Sequence, residues 1–269
     1  MRDRRLPAPI LLALPLLLLL YQDQALAQAL PKRILNQWGM EFILVPAGSY
    51  RICGGPEADE RTSLPDGLID LPAFYLQATE VTQEGWNRAG VDDRFSDPKP
   101  GLPAWGLSHG DAENLAARLN RLSGRPLYRL PREAEWEAAC RAGGEGLALD
   151  TRELEKKGWV RTNSGGRPHP VAGLEANQMG FYDLLGNLYE WCQETYDPKE
   201  CPGRAGGDPK GPTRGLYKVL KGGSFNSLPP TARCGWRFFY EPTLRHPQNG
   251  ARLVREALPL LPGERGRSD

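Results

Sequence analysis

The chain has 269 residues, with 34 basic and 33 acidic side chains and a formal net charge of +1. So even a balance argues against nucleic acid or an anionic membrane surface as the main partner. The length suits one substantial core or two small ones.

In chain order, the first feature is a basic start (Arg2, Arg4, Arg5), an apolar run from Leu6 to Tyr21, and the small-residue stretch Ala25-Leu26-Ala27. This is the plan of a cleaved secretory leader over residues 1–27, with Gln28 as the new terminus. Pro7, Pro9 and Pro15 and the shortness of the run weigh against a membrane anchor. No cysteine follows the cleavage site, so a lipoprotein is not expected, and no later stretch is apolar enough to span a bilayer. The mature chain is therefore expected to be soluble and periplasmic, and losing Arg2, Arg4, Arg5, Asp3 and Asp23 leaves its charge neutral. In an oxidising compartment, disulfides are the default for four of the cysteines 53, 140, 192, 201 and 234, with one left over. None of their spacings is CxxC, which sets a structural zinc site aside.

After a lead-in over residues 28–35, MEFILVPAG, AFYLQATEV, YKVLKGGS and GARLVRE read as short strands between glycine and proline turns. A short helix should follow Thr82. Leu115, Leu119 and Leu122 at helical spacing predict a second, capped by Ser108 with Asp111 and stopped by Gly124. A third should run from about Glu133 to Arg141. Residues 198–215 read as a long surface loop, and 257–269, with two prolines and a charged end, as a flexible tail. The 31 glycines and 25 prolines suit a loop-rich α+β domain.

One stretch raises a chemical question. In KGGSFNSLPPTARCGWR (221–237), Cys234 stands between Arg233 and Arg237. Nearby positive charge would favour a reactive thiolate, but a metal ligand or half of a disulfide are equally readable from the residues alone.

Seven stretches together resemble the formylglycine-generating-enzyme-like family, also called the sulfatase-modifying-factor domain. They are MEFILVPAGSY (40–50), ATEVTQEGWN (78–87), YRLPREAEWEAACRAG (128–143), NSGGRPHPV (163–171), MGFYDLLGNLYEWC (179–192), KGGSFN (221–226) and GARLVRE (250–256). They occur in the family's order across residues 36–256. The resemblance implies a variant of the C-type lectin fold, with little regular structure around a small twisted sheet.

Activity must be read residue by residue. The family's copper oxidases carry two cysteines shortly after GGS, because soft thiolates hold Cu(I). Here that segment is NSLPPTAR, with Ser227, Pro229, Pro230 and Ala232 and no thiol. Formylglycine generation is therefore not expected, and neither is copper. An iron branch holds its metal with histidines, but His109, His169 and His246 lack the spacing for such a site. The resemblance further implies a Cys140–Cys234 bridge; Cys192–Cys201 is expected as a second, local bridge, leaving Cys53 free. It also implies a structural Ca²⁺ held by Asp183, the carbonyls of Gly186 and Leu188, and Glu190, hard oxygens of the kind calcium takes. Asp183 and Glu190 could instead cap turns or form salt bridges. Ser227, Arg233, Arg237 and Arg252 define a candidate anion or peptide-carboxylate pocket, with internal salt bridges as the competing reading. The functional expectation is a non-catalytic exported scaffold that binds a periplasmic or membrane-attached protein partner, as in the branch acting upstream of a threonine kinase controlling type VI secretion. The alternative is a periplasmic oxidoreductase of the kind that matures siderophores.

Overall fold

Apolar runs far apart in sequence meet in one antiparallel sheet. The computed structural model describes residues 30–53, 67–142, 149–198 and 215–268, so the expected leader and nearly all of the 198–215 loop lie outside the described residues. The sheet has the order β12-β1-β2-β5-β11-β6, from β1 (Arg33–Leu35), β2 (Glu41–Val45), β5 (Phe74–Gln77), β6 (Tyr128–Arg129), β11 (Val254–Glu256) and β12 (Arg265–Arg267). β3 (Gly48–Ile52) and β4 (Gly67–Leu71) form a separate ribbon. Phe42, Val45, Phe74, Tyr75 and Leu76 are fully buried, as central strands covered on both faces require.

The second sheet, β10-β7-β8-β9, comprises β7 (Tyr189–Thr195), β8 (Lys218–Lys221), β9 (Phe238–Tyr240) and β10 (Asn249–Gly250). Along β7, alternation places Glu190, Cys192 and Glu194 on one face and Tyr189, Trp191 and Gln193 on the other.

The three expected helices are present. α1 (Gln83–Ala89) is capped by the Thr82 side chain. α2 (His109–Ser123) starts with a reciprocal Ser108–Asp111 capping box and ends at Gly124 in the left-handed conformation. All eight residues of α3 (Glu133–Cys140) are buried, three of them glutamates. A fourth helix, α4 (Thr151–Lys157), was not expected; it carries one buried apolar residue, Leu154, too few for a helical period to show.

The Cys140–Cys234 bridge is present and ties the end of α3 to the chain before β9 across 94 residues. In the chain-entropy account this closure contributes about 4–5 kcal/mol. The Cys192–Cys201 expectation does not hold. Cys192 is a free, fully buried thiol on β7, an inner strand between β10 and β8. Nor is Cys53 free: it is disulfide-bonded, and Cys201 lies outside the described residues.

The flexible tail is also corrected. Residues 257–268 run back along the sheet, and β12 pairs antiparallel with β1, Leu35 opposite Arg265. The cause is Arg255, fully buried on β11, whose guanidinium needs acceptors. It donates to Glu264 at 2.7 and 3.0 Å and to the carbonyls of Glu256, Leu258 and Pro259. Among the described residues no helix is long and apolar enough to cross a membrane.

Candidate functional site

The loop between Phe181 and β7 is built from left-handed residues. Asp183, Gly186 and Asn187 have φ of 57°, 83° and 52°. Asp and Asn tolerate this region better than other side chains. Gly186 has no alternative, because a Cβ there would lie 2.2 Å from the Trp159 carbonyl oxygen. Asn187 fastens the turn. Its backbone N–H donates to Trp159 O, its Oδ1 accepts from His169 N, and its Nδ2 donates to Glu80 Oε2 at 2.7 Å. Glu80 Oε1 accepts from Leu188 N at 2.8 Å.

Three buried carboxylates face one cation here. Glu80 and Glu190 are fully buried and Asp183 is 3% exposed. Glu190, expected as a calcium ligand, pairs with the fully buried Arg252 at 2.8 and 2.9 Å and accepts from Trp136 Nε1 at 2.6 Å. Arg252 also donates to the carbonyls of Gln77 and Tyr182. Burial raises the Asp183 carboxyl to about 6, with the Glu190 charge adding to the effect. Burial likewise raises Glu80 well above the usual range, with contributions from Asp183 and Glu190.

Asp183 Oδ2 accepts from Ala172 N, while its buried Oδ1 has no partner. Among the described residues no group of three or more His, Cys, Asp or Glu side chains is arranged to hold a metal. A calcium site here would therefore depend on backbone carbonyls. The donor chemistry fits: hard oxygens, one of them orphaned, beside carboxylates that outnumber their cation.

The sequence model of the sulfatase-modifying factor enzyme 1-like domain matches residues 27–257. The chain belongs to that family. Among curated relatives, the serine/threonine-protein kinase pkn1 of Chlamydia caviae is 36% identical over 243 residues, 80% of this chain but 38% of the kinase. This chain thus spans well under half of such kinases. The formylglycine-generating enzyme of Thermomonospora curvata is 35% identical over 191 residues, covering 64% of this chain and 57% of the enzyme. Among solved structures, PvdO from Pseudomonas aeruginosa superposes with a TM-score of 0.72 at 23% identity, covering 84% of this chain and 98% of PvdO. The formylglycine-generating-enzyme-like fold expected from the motifs is the one observed.

Within this family member, the segment after GGS is closed by hydroxyls. Ser227 Oγ accepts from Ser224 N at 2.9 Å and donates to Tyr189 OH at 3.0 Å. Pro229–Thr231 make a 3₁₀ turn, and Ala232 is buried against Gly223. The candidate anion pocket does not assemble. Arg252 is committed to Glu190, and Arg237 to Glu133 Oε1 at 2.7 Å and the Asp197 carbonyl. For these two, the internal salt-bridge reading holds; Ser227 belongs to the hydroxyl network, and Arg233 is half-buried beside the disulfide. The three histidines are dispersed. His109 is buried against Trp191, His169 stacks on Trp159 at 3.8 Å, and His246 lies against Tyr240.

Beneath α3 lies a second polar core that the motifs did not reveal. Lys221, fully buried, donates to Glu137 at 3.1 Å and Glu133 at 3.4 Å. Glu194 Oε2 accepts from Glu133 N, and its Oε1 has no partner. Burial, with the Glu133 charge nearby, pushes Glu194 up to about 8 from 4.5. Between those values the folded chain keeps a proton that the unfolded chain has released. This carboxyl therefore makes stability fall as pH rises through that window, by at most about 1.4 kcal/mol per unit. Glu194→Gln should flatten the decline between pH 6 and 8 in urea unfolding; an unchanged slope would show that Glu194 is ionised in the fold. In the sequence Glu80 and Lys221 stand as charges inside otherwise apolar runs, and nothing local marks Glu194.

Proposed function

We propose that this chain is a non-catalytic, exported scaffold that binds a periplasmic or membrane-attached protein partner and promotes threonine-kinase signalling of the kind that activates type VI secretion. The observation that carries the non-catalytic part is the Ser227–Ala232 segment. A two-thiolate copper site needs sulfur there, and the nearest cysteines are committed elsewhere. Cys234 is in a disulfide, and Cys192 is buried in the core with its thiol pKa raised by desolvation, which suppresses the thiolate. The kinase context is supported by the chlamydial relatives, proteins named as serine/threonine kinases that match this domain over part of their length.

The scaffold reading includes a structural Ca²⁺. Asp183 Oδ1, the carbonyls of Gly186 and Leu188 and a Glu190 oxygen would hold it, and the ion would offset the surplus carboxylate charge. These residues pin a loop that carries three left-handed positions.

Two measurements test the function. Purified protein given Cu(I), oxygen and a cysteine-containing peptide should leave the peptide unchanged; conversion to an aldehyde would overturn the non-catalytic reading. Deletion of the gene should lower phosphorylation in an envelope kinase pathway, and the tagged protein should co-purify with a component of that pathway. Accumulation of siderophore precursors instead, with phosphorylation unchanged, would favour the oxidoreductase alternative.

A further inference from the structure

Glu80 lies outside the motif that suggests the calcium site, about a hundred residues upstream, yet it touches that motif twice. Its Oε1 accepts the Leu188 N–H at 2.8 Å and its Oε2 accepts from Asn187 Nδ2 at 2.7 Å. Leu188 is one of the two residues whose carbonyl would face the ion, and Asn187 is the peptide link between that residue and Gly186. The carboxylate therefore grips the short backbone segment from which both carbonyl donors arise.

We infer that Glu80 is the positioning residue of the calcium site: by fixing the Asn187–Leu188 peptide and the Asn187 side chain it holds the segment that carries the Gly186 and Leu188 carbonyls, and when ionised it adds a nearby negative charge. The inference rests on the calcium reading above. Three observations support it. The first is the two-point grip just described. The second is the orphaned, buried Oδ1 of Asp183, a polar atom that closed packing does not leave without a partner unless something else completes it. The third is the charge inventory: the Glu80, Asp183 and Glu190 side chains are all buried, and the buried cation beside them, Arg252, is paired with Glu190. A divalent cation beside them is attracted by all three, and groups that orient metal donors from behind typically change affinity by about 10–100-fold when replaced.

The two roles of Glu80 can be separated by substitution. Glu80→Gln keeps the length and removes the charge. Glu80→Asp keeps the charge but is too short to hold Leu188 N and Asn187 Nδ2 in their present positions. The probe is calcium alone, titrated into protein stripped with EDTA and followed by calorimetry. Terbium provides a second readout, because Trp136 donates to Glu190 and can sensitise its emission. The wild type should bind one ion per chain. Both variants should bind it about 10–100-fold more weakly and lose most of the calcium-induced rise in melting temperature, with melting in EDTA as the folding control. Wild-type affinity in both variants would overturn the role of Glu80 and leave the calcium site standing. Wild-type affinity in Glu80→Asp alone would reduce Glu80 to a charge and overturn its positioning role. Absence of binding by the wild type would instead remove the calcium reading on which the inference rests. Should one variant fail to fold, Asn187→Ala, which releases the same grip from the other side, gives the affinity comparison.

Discussion

Replacing Arg252 with methionine is expected to destabilise the fold by about 3–5 kcal/mol, the usual consequence of removing one member of a buried ion pair. The guanidinium satisfies Glu190 through three N–H···O contacts and ties down the carbonyls of Gln77 and Tyr182. Without it, three carboxyl groups share a buried volume with no cation. Urea unfolding of the single variant measures the loss. The double variant Arg252→Met, Glu190→Leu should recover a substantial part of it, because a pair exchanged for apolar groups of similar size is often nearly neutral. Additive losses in the double variant would show that the two residues are not energetically coupled.

Glu264→Ala should also cost about 3–5 kcal/mol, although it changes a residue five places from the end of the chain. Arg255 is fully buried and the Glu264 side chain is 2% exposed, so the pair lies inside the molecule. The same carboxylate accepts from Tyr128 OH at 3.0 Å and from Leu261 N at 2.8 Å. Ending the chain after Ala257 should do at least as much damage, since it also removes two carbonyls that Arg255 uses and strand β12. Burial raises the Glu264 carboxyl and its hydrogen bonds with Arg255 and Leu261 outweigh that, so its folded pKa is lowered. Its stabilisation is therefore present above the unfolded carboxylate range and lost as pH falls. Melting of Glu264→Ala against wild type at pH 7 and at pH 3 checks both statements: the gap should narrow in acid. A full-length variant with unchanged melting temperature would return the tail to the status of an appendage.

The elements that were legible in the sequence are those whose signals are local. α2 was bounded correctly because Ser108, Asp111 and Gly124 act within one turn of the helix ends they cap. In the sequence β7 shows only as part of a metal motif. Its inner face carries Glu190, Cys192 and Glu194, so the polar residues sit where the strand pattern expects apolar ones, and each is buried against partners that come from elsewhere in the chain. The tail departs from its sequence pattern for the same reason. Its prolines and charges look like those of a disordered end until Arg255, whose burial no local pattern announces, supplies the counter-charge. Cys192 and Cys201 are close in sequence, which says nothing about one of them lying on an inner strand. For Arg252, the sequence allowed both a ligand pocket and a salt bridge, and only the position of Glu190 decided between them.

The strand order has a kinetic consequence. β5 lies between β2 and β11, and the contact that closes this centre joins residues 175 positions apart. β1 in turn receives its outer neighbour from β12, near the end of the chain. Pairings of such long range pay their loop-closure entropy before any contact rewards it, and folds dominated by them form slowly. A chain emerging from its N-terminus first holds the apolar strand β5 with one edge open until β11 has appeared. The centre of the main sheet is thus completed only once β11 has been made, and the interval before that is when the open edge of β5 is most exposed to aggregation.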